Sequence, residues 1–176
     1  MRYLKPVFPL LMTSALSAPV LAAGAHVHGR ADLEIAVEAG RLEIRLAGPL
    51  DGFVGFEHRP RDDAQRAALA AALAALEAPG RLVEPVAEAG CRLTAADVAE
   101  PFHHDDHHDD HADPDGHAEL EAEWRFTCAS PDALSAITVR LGERFPRLER
   151  LEAVFVGPAG QGATTLPGGH GRVELR

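Results

Sequence analysis

Between Ala31 and Leu46 the chain alternates strictly between apolar and polar residues, and a period of two suits a half-buried β-strand and little else. Ala31, Leu33, Ile35 and Val37 share one face, with Asp32, Glu34 and Glu38 opposite. After Ala39-Gly40, Leu42, Ile44 and Leu46 alternate with Arg41, Glu43 and Arg45. This pattern predicts a β-hairpin with one buried face, a turn at Ala39-Gly40 and Glu34 facing Arg45 on the solvent side. The alternation returns further on, where Ala118, Leu120, Ala122, Trp124, Phe126 and Cys128 form one face and His117, Glu119, Glu121, Glu123, Arg125 and Thr127 the other. A third strand is expected near 91–98, where Cys91, Leu93 and Ala95 alternate with Arg92, Thr94 and Ala96, and a short one over 82–86.

Helix signals are fewer. Gly48-Pro49-Leu50-Asp51-Gly52 breaks the second strand, and Phe53 to His58 reads as a compact apolar turn. Asp62, followed three residues later by Gln65, is a capping-box pattern, and Leu69, Leu73 and Leu76 then recur on one helical face until Pro79-Gly80. A second helix is expected from Ser130-Pro131-Asp132, with Leu134, Ile137, Leu141 and Phe145 as its buried stripe and Pro146 as its stop. Leu151 to Val156 reads as a strand buried on both faces, Gly157 to Gly171 as a Gly/Pro-rich connection, and Arg172 to Leu175 as a last short strand. The fold class is therefore α+β: a mainly antiparallel sheet built from hairpins, two covering helices and a long His/Asp-rich loop.

That loop is the most unusual stretch of the chain. His103 to His117 reads HHDDHHDDHADPDGH, twelve of whose fifteen residues are histidine or aspartate. Imidazole nitrogen and carboxylate oxygen are the side-chain donors that bind zinc and its first-row neighbours. His103, His104, His107, His108, His111 and His117, with Asp105, Asp106, Asp109 and Asp110, are the candidate ligands. A merely hydrophilic insert is the plainer alternative, but such inserts draw on Ser, Gly, Lys and Glu and seldom concentrate histidine. Aspartate runs and Pro114-Gly116 disfavour a helix, so the expectation is a flexible loop over 101–117 that orders around ions as they bind. Histidine binds metal only when neutral, so affinity should fall below about pH 6.5.

The residues around the loop say where it works. Arg2 and Lys5, an apolar run from Pro6 to Leu21 and Ala22-Ala23-Gly24-Ala25 have the layout of an export signal over 1–25, cleaved after Ala23 or Ala25. Residues 26–176 then form a single metal-binding domain in the periplasm, with no stable membrane insertion after cleavage. Removing the signal moves the net charge from −10 to −12 by taking away its two positive residues. That charge argues against nucleic acid as a partner and suits a cation-binding protein. Cys91 and Cys128 are an even pair in an oxidising compartment and read as one disulfide. It closes a loop of about 37 residues around the His/Asp segment, restricting the unfolded chain by about 4 kcal/mol.

Three more histidines are candidate ligands. His26 and His28 project to one face of an extended chain and could chelate one ion. Cleavage after Ala23 would leave a free amine with a histidine third, which suits Cu2+ or Ni2+; cleavage after Ala25 would make His26 itself the terminus. His58, beside Glu57, is the third, although a histidine near Phe53 and Phe56 is more often structural. There is no HExxH, no G-x-S-x-G and no phosphate-cradling glycine loop, so no enzyme activity is expected. The alternatives left open are copper or nickel sequestration through the N-terminal histidines and a copper-dependent redox enzyme with His26 first.

Finally, AHVHGRA at 25–31, GPLDGFVGFEHRPRDDAQRAA at 48–68, EAGC at 88–91, the His/Asp loop, WRFTCASPDAL at 124–134 and RFPRLERL at 144–151 follow one another in a familiar order. In these segments the chain resembles the ZrgA-like family of periplasmic proteins, a domain-of-unknown-function family that includes a zinc-regulated protein associated with zinc acquisition. The resemblance covers essentially all of the chain after the signal. It places the family's histidine-rich central region on His103 to His117 and its HxHG on His26 and His28. Many members carry a longer His/Asp-rich extension before that motif, absent here. The resemblance implies zinc binding in the periplasm, as a buffer or as a donor to a zinc importer.

Overall fold

A computed structural model of the chain describes residues 28–102 and 118–175. The export signal, His26 and the whole His103–His117 segment, with its aspartates, lie outside the described residues. The hairpin expected at the start is there: β1 (Arg30–Glu38) pairs antiparallel with β2 (Arg41–Pro49), and Glu34 faces Arg45. Its turn is made by Ala39 and Gly40, both at positive φ, which matches the right-handed twist of the strands. β2 continues into a one-turn helix α1 (Asp51–Val54), which takes up the start of the compact turn expected over 53–58. α2 (Asp63–Glu77) follows, and its N-terminus is built as the sequence signals: Gln65 N–H donates to the Asp62 carboxylate at 2.8 Å.

β3 (Val83–Pro85), β4 (Cys91–Ala99) and β5 (Glu119–Cys128) come next. Then come β6 (Ala136–Arg140), the one-turn α3 (Leu141–Arg144), β7 (Arg150–Gly157), β8 (Gly160–Pro167) and β9 (His170–Glu174). Six strands form the large sheet in the order β4-β5-β2-β1-β7-β8, and β3-β6-β9 form a small one. All pairs are antiparallel except β1 with β7. One contiguous core joins inward residues of the large sheet, among them Leu33, Ile44, Trp124 and Leu151, to Leu69, Ala72 and Leu76 of α2 and to Ile137, Val139 and Val173 of the small sheet. Trp124 is fully buried, and its indole N–H donates to the Leu76 carbonyl at 2.8 Å. That carbonyl lies in the last turn of α2, where no intrahelical donor is available.

Four expectations need correcting. The second helix expected over 130–145 is instead a 3-10 turn (Pro131–Ala133), strand β6 and one turn of α3. Ser130 makes no side-chain cap, and Ile137, Thr138 and Val139 are β-branched residues that fit the pleated small sheet better than a helix. The i, i+4 spacing of Ile137 and Leu141 is also met by a strand that turns into a helix. β7 is not buried on both faces: its outward residues Val154 and Val156 are 46% and 55% exposed, because nothing among the described residues covers the outer face of the large sheet. The Gly/Pro-rich stretch is largely strand β8, where Gly162 leaves room for the Phe155 ring directly across the ladder. In β4 the alternation changes phase at a bulge between Leu93 and Ala95, so Ala96 and Val98 pack inward; Leu93, across from Phe126 on this edge strand, is 43% exposed.

Cys91 and Cys128 are directly opposed partners on β4 and β5 and form a disulfide. The two strands run antiparallel, so Ala99 at the end of one lies across from Glu121 near the start of the other. Residues 103–117 therefore join the ends of these neighbouring strands farthest from the disulfide.

Candidate metal centre

The register of the first hairpin creates a cluster just beyond its open end. Run outward from the Glu34–Arg45 pair, it sets His28 against Asp51. His28 precedes Gly29, at φ 73°, and the first residue of β1, while Asp51 opens α1 immediately after β2. The chain then reverses at Gly55, whose φ of 90° is open to glycine at little cost, and brings Glu57 back toward the same point. His28 Nδ1 lies 2.9 Å from Asp51 Oδ2 and 3.4 Å from Glu57 Oε1. One donor atom from each of the three residues lies within 4.8 Å of the others.

The depth of the three groups differs in a useful way. The carboxylates of Asp51 and Glu57 are 21% and 14% exposed, whereas the imidazole is 69% exposed. The negative charges form the floor and the histidine the rim, so an ion entering from solvent meets an open coordination position. Asp51 Oδ1 is buried and accepts no hydrogen bond from the described residues. A buried carboxylate oxygen without a donor is costly unless a cation supplies the missing partner.

The spacing suits a tetrahedral ion. Zinc–ligand bonds of about 2.0–2.2 Å put neighbouring donors about 3.3–3.6 Å apart. The His28–Glu57 separation already has that length, and the His28–Asp51 contact needs only a few tenths of an ångström of opening. Three protein donors leave a fourth position for water or for an exchanging ligand.

The backing of the cluster comes from the far end of the chain. The Gly29 carbonyl accepts both Glu149 N–H at 2.8 Å and Arg150 N–H at 3.0 Å. The Arg147 guanidinium lies against Gly55, close enough that a Cβ there would fall 2.8 Å from its Nε. The 147–150 segment thus braces both the strand that carries His28 and the turn that carries Glu57.

Of the residues singled out in the sequence, the structure brings His28 into the cluster. His58 stands apart, its Nδ1–H donating to the Arg59 carbonyl at 2.9 Å and its ring stacked on Phe56. His170 opens β9 and donates to the Gly168 carbonyl at 3.2 Å. Asp51 and Glu57 were missed. The signal for Asp51 was present, because the hairpin register that pairs Glu34 with Arg45 also opposes His28 and Asp51. Glu57 carried no periodic signal, since its placement depends on the reversal at Gly55.

An α+β scaffold with a one-histidine, two-carboxylate cluster of metal-ligand chemistry at its rim is the class of protein that these features define. The model of the ZrgA family of zinc uptake proteins matches residues 25–175, and the chain belongs to that family. Comparison with curated proteins yields no individual match. No helix among the described residues is long and apolar enough to cross a membrane.

Proposed function

We propose that this protein is a periplasmic zinc-binding accessory protein, which captures Zn2+ at His28, Asp51 and Glu57 and passes it to a zinc importer without catalytic turnover. The observation that carries the reading is the convergence of those three donors, two of them on a recessed floor, in a member of a zinc uptake family. A nitrogen-and-oxygen donor set suits zinc. It lacks the thiolate or thioether that selects Cu(I), and it contains an imidazole that Mg2+ and Ca2+ seldom use. An open fourth position suits a carrier, because an incoming ligand of the acceptor can bind before the ion leaves.

In this reading the His/Asp residues of 103–117 act as a buffer for the same ion. Twelve donors exceed the four that one zinc needs, so the segment has the capacity to hold further ions in interchanging ligand sets. An export signal over 1–25 and a net charge of −12 after its removal support this reading, since an acidic exported domain suits a cation collector.

Zinc titration of the mature protein tests the reading against two variants, His28→Ala and a deletion of 103–117. The tightest class of site should vanish in His28→Ala, and the deletion should lower the stoichiometry while leaving that class in place. An unchanged tight class in His28→Ala would overturn the assignment of the cluster. An unchanged stoichiometry in the deletion would overturn the buffering role.

A further inference from the structure

The two edges of the large sheet are built differently. β4, at one edge, carries the bulge between Leu93 and Ala95 and the charged residues Arg92 and Asp97. Bulges and charges are the ordinary means by which an edge strand is kept from pairing with another chain. β8, at the other edge, has neither. Its eight pairs with β7, from Arg150–Pro167 to Gly157–Gly160, run without a register shift, and its sequence GQGATTLP holds no charged residue. Among the described residues, no backbone hydrogen bond reaches 160–165 from any element but β7. β8 therefore presents an unbroken row of peptide N–H and C=O groups along its open side.

The charge of the chain says what such an edge accepts. From Ala153 to Gly171 there are 19 residues without Asp, Glu, Lys or Arg, in a chain where one residue in four is charged. This run includes β8 and the exposed Val154 and Val156 beside it on β7. After loss of the signal the chain carries −12, so two copies repel each other over most of their surfaces. The neutral run is where a second copy meets no like charge. An antiparallel strand pair about a two-fold axis is also self-complementary, since each strand presents the same groups to its copy.

Two constraints set the register. Residues opposed across a ladder share a face, so the axis passes through a residue and not between two. Pro167 has no N–H to give and belongs outside the new ladder. An axis at Thr164 sets Pro167 against Gln161, whereas an axis at Ala163 sets Gly160 against Leu166 and leaves Pro167 beyond the end. Ala163 lies across from Val154, so this axis also lines up Val154, Ala163 and their two copies in one small apolar row on the outer face.

We propose that two copies of this chain pair through β8, antiparallel about a two-fold axis at Ala163, joining their large sheets into one. Each metal cluster lies at the Pro167 end of its own sheet, beside the start of β1 and β7. The paired strands run in opposite directions, so the two clusters lie at opposite ends of the joined sheet. Each copy keeps its own site, and pairing is independent of the zinc reading above.

The test is the mass of the mature natural protein in sedimentation velocity over a concentration series, with EDTA present to exclude association through bridging ions. The natural chain should be a dimer with a dissociation constant at or below about 10 μM. Ala163→Arg sets two like charges against each other on the axis while adding only an exposed side chain to the single copy. It should weaken the dimer at least about tenfold. Ala163→Cys reads the register directly. Opposed residues of an antiparallel pair come within reach of a disulfide, as Cys91 and Cys128 do in this chain, so oxidation with diamide should cross-link Ala163→Cys as a dimer. Gln161→Cys lies on the same strand and face but opposite the copy's Thr165, and should cross-link far more slowly. A monomeric natural chain at about 100 μM would overturn the proposal and leave this edge to a strand of another protein. An undiminished dimer in Ala163→Arg, or equal cross-linking of the two cysteine variants, would overturn it as well.

Discussion

Asp51→Asn separates the charge of the cluster from its shape, because asparagine preserves the side-chain outline and a hydrogen-bonding partner for His28. The loss in zinc affinity follows from Coulomb's law. A unit negative charge about 2.1 Å from a divalent ion is worth about 4 kcal/mol even in a water-like dielectric, a lower bound for a carboxylate that is 21% exposed. The carboxylate spreads its charge over two oxygens and the amide carbonyl keeps some affinity, so about 2.7 kcal/mol, or about 100-fold, is the expected loss. At free zinc about 100 times the natural Kd, binding to the folded state alone stabilises the protein by about 2.7 kcal/mol. For a chain of this size that raises Tm by about 5–11 °C. At the same zinc concentration Asp51→Asn retains about 0.4 kcal/mol, or about 1 °C. Thermal unfolding with and without zinc is the right assay because it discounts the 103–117 donors. Ligands adjacent in sequence also bind zinc in the unfolded chain, and an ion held in both states shifts no equilibrium. His58→Ala is the matched control and should keep the full shift, since its Nδ1 is engaged by the Arg59 carbonyl. A zinc-induced rise in Asp51→Asn within about 2 °C of the natural protein would refute the assignment of Asp51 as a ligand.

Three further outcomes are expected. Gly55→Ala places a side chain at φ 90° against Arg147, which should cost about 1–2 kcal/mol in denaturant unfolding and weaken zinc binding by displacing Glu57; unchanged values in both would mean the turn relaxes freely. Trp124→Phe removes the donor to the Leu76 carbonyl and leaves a small void, and urea unfolding should show a loss of about 2–4 kcal/mol with m unchanged. Glu123 is held below the usual carboxylate range mainly by its hydrogen bond from Arg125, with Arg45 adding to it. A depressed folded value gives stability that is present above the unfolded value and lost as pH falls through the folded one. Tm should therefore fall less steeply in Glu123→Gln than in the natural protein from about pH 5 down to pH 3, and parallel curves would deny the coupling.

How legible each part was in the sequence follows from how local its causes are. The first hairpin and the capped helix α2 could be read from period, turn and cap residues, because each is decided within a few residues of chain, and the pairing of the strands bearing Cys91 and Cys128 from the two cysteines themselves. β6 was misread because Ala136 to Phe145 satisfies helical spacing, and only the neighbouring strands β3 and β9, remote in sequence, tip it to strand. The bulge in β4 was invisible for a related reason. Arg125 and Thr94 set the register there, through a hydrogen bond from the Thr94 hydroxyl to the Arg125 carbonyl. At the site, His28 was found by its residue type and Asp51 could have been found by extending the hairpin register. Glu57 needed the left-handed reversal at Gly55, which no pattern of neighbours announces.

The parallel pairing of β1 with β7 has a consequence for the order in which the protein matures. Residues 30–36 lie beside residues 150–156, so the first strand to be made waits until all but the last 20 residues of the chain exist before its second edge is satisfied. The Gly29 carbonyl waits as well, since its donors are Glu149 and Arg150. A chain threading through a membrane from its amino end would present His28, Asp51 and Glu57 early but without the brace that sets their spacing. The spacing of the three side chains is therefore tied to completion of the whole domain, and a half-emerged or C-terminally clipped chain would carry His28, Asp51 and Glu57 without the brace.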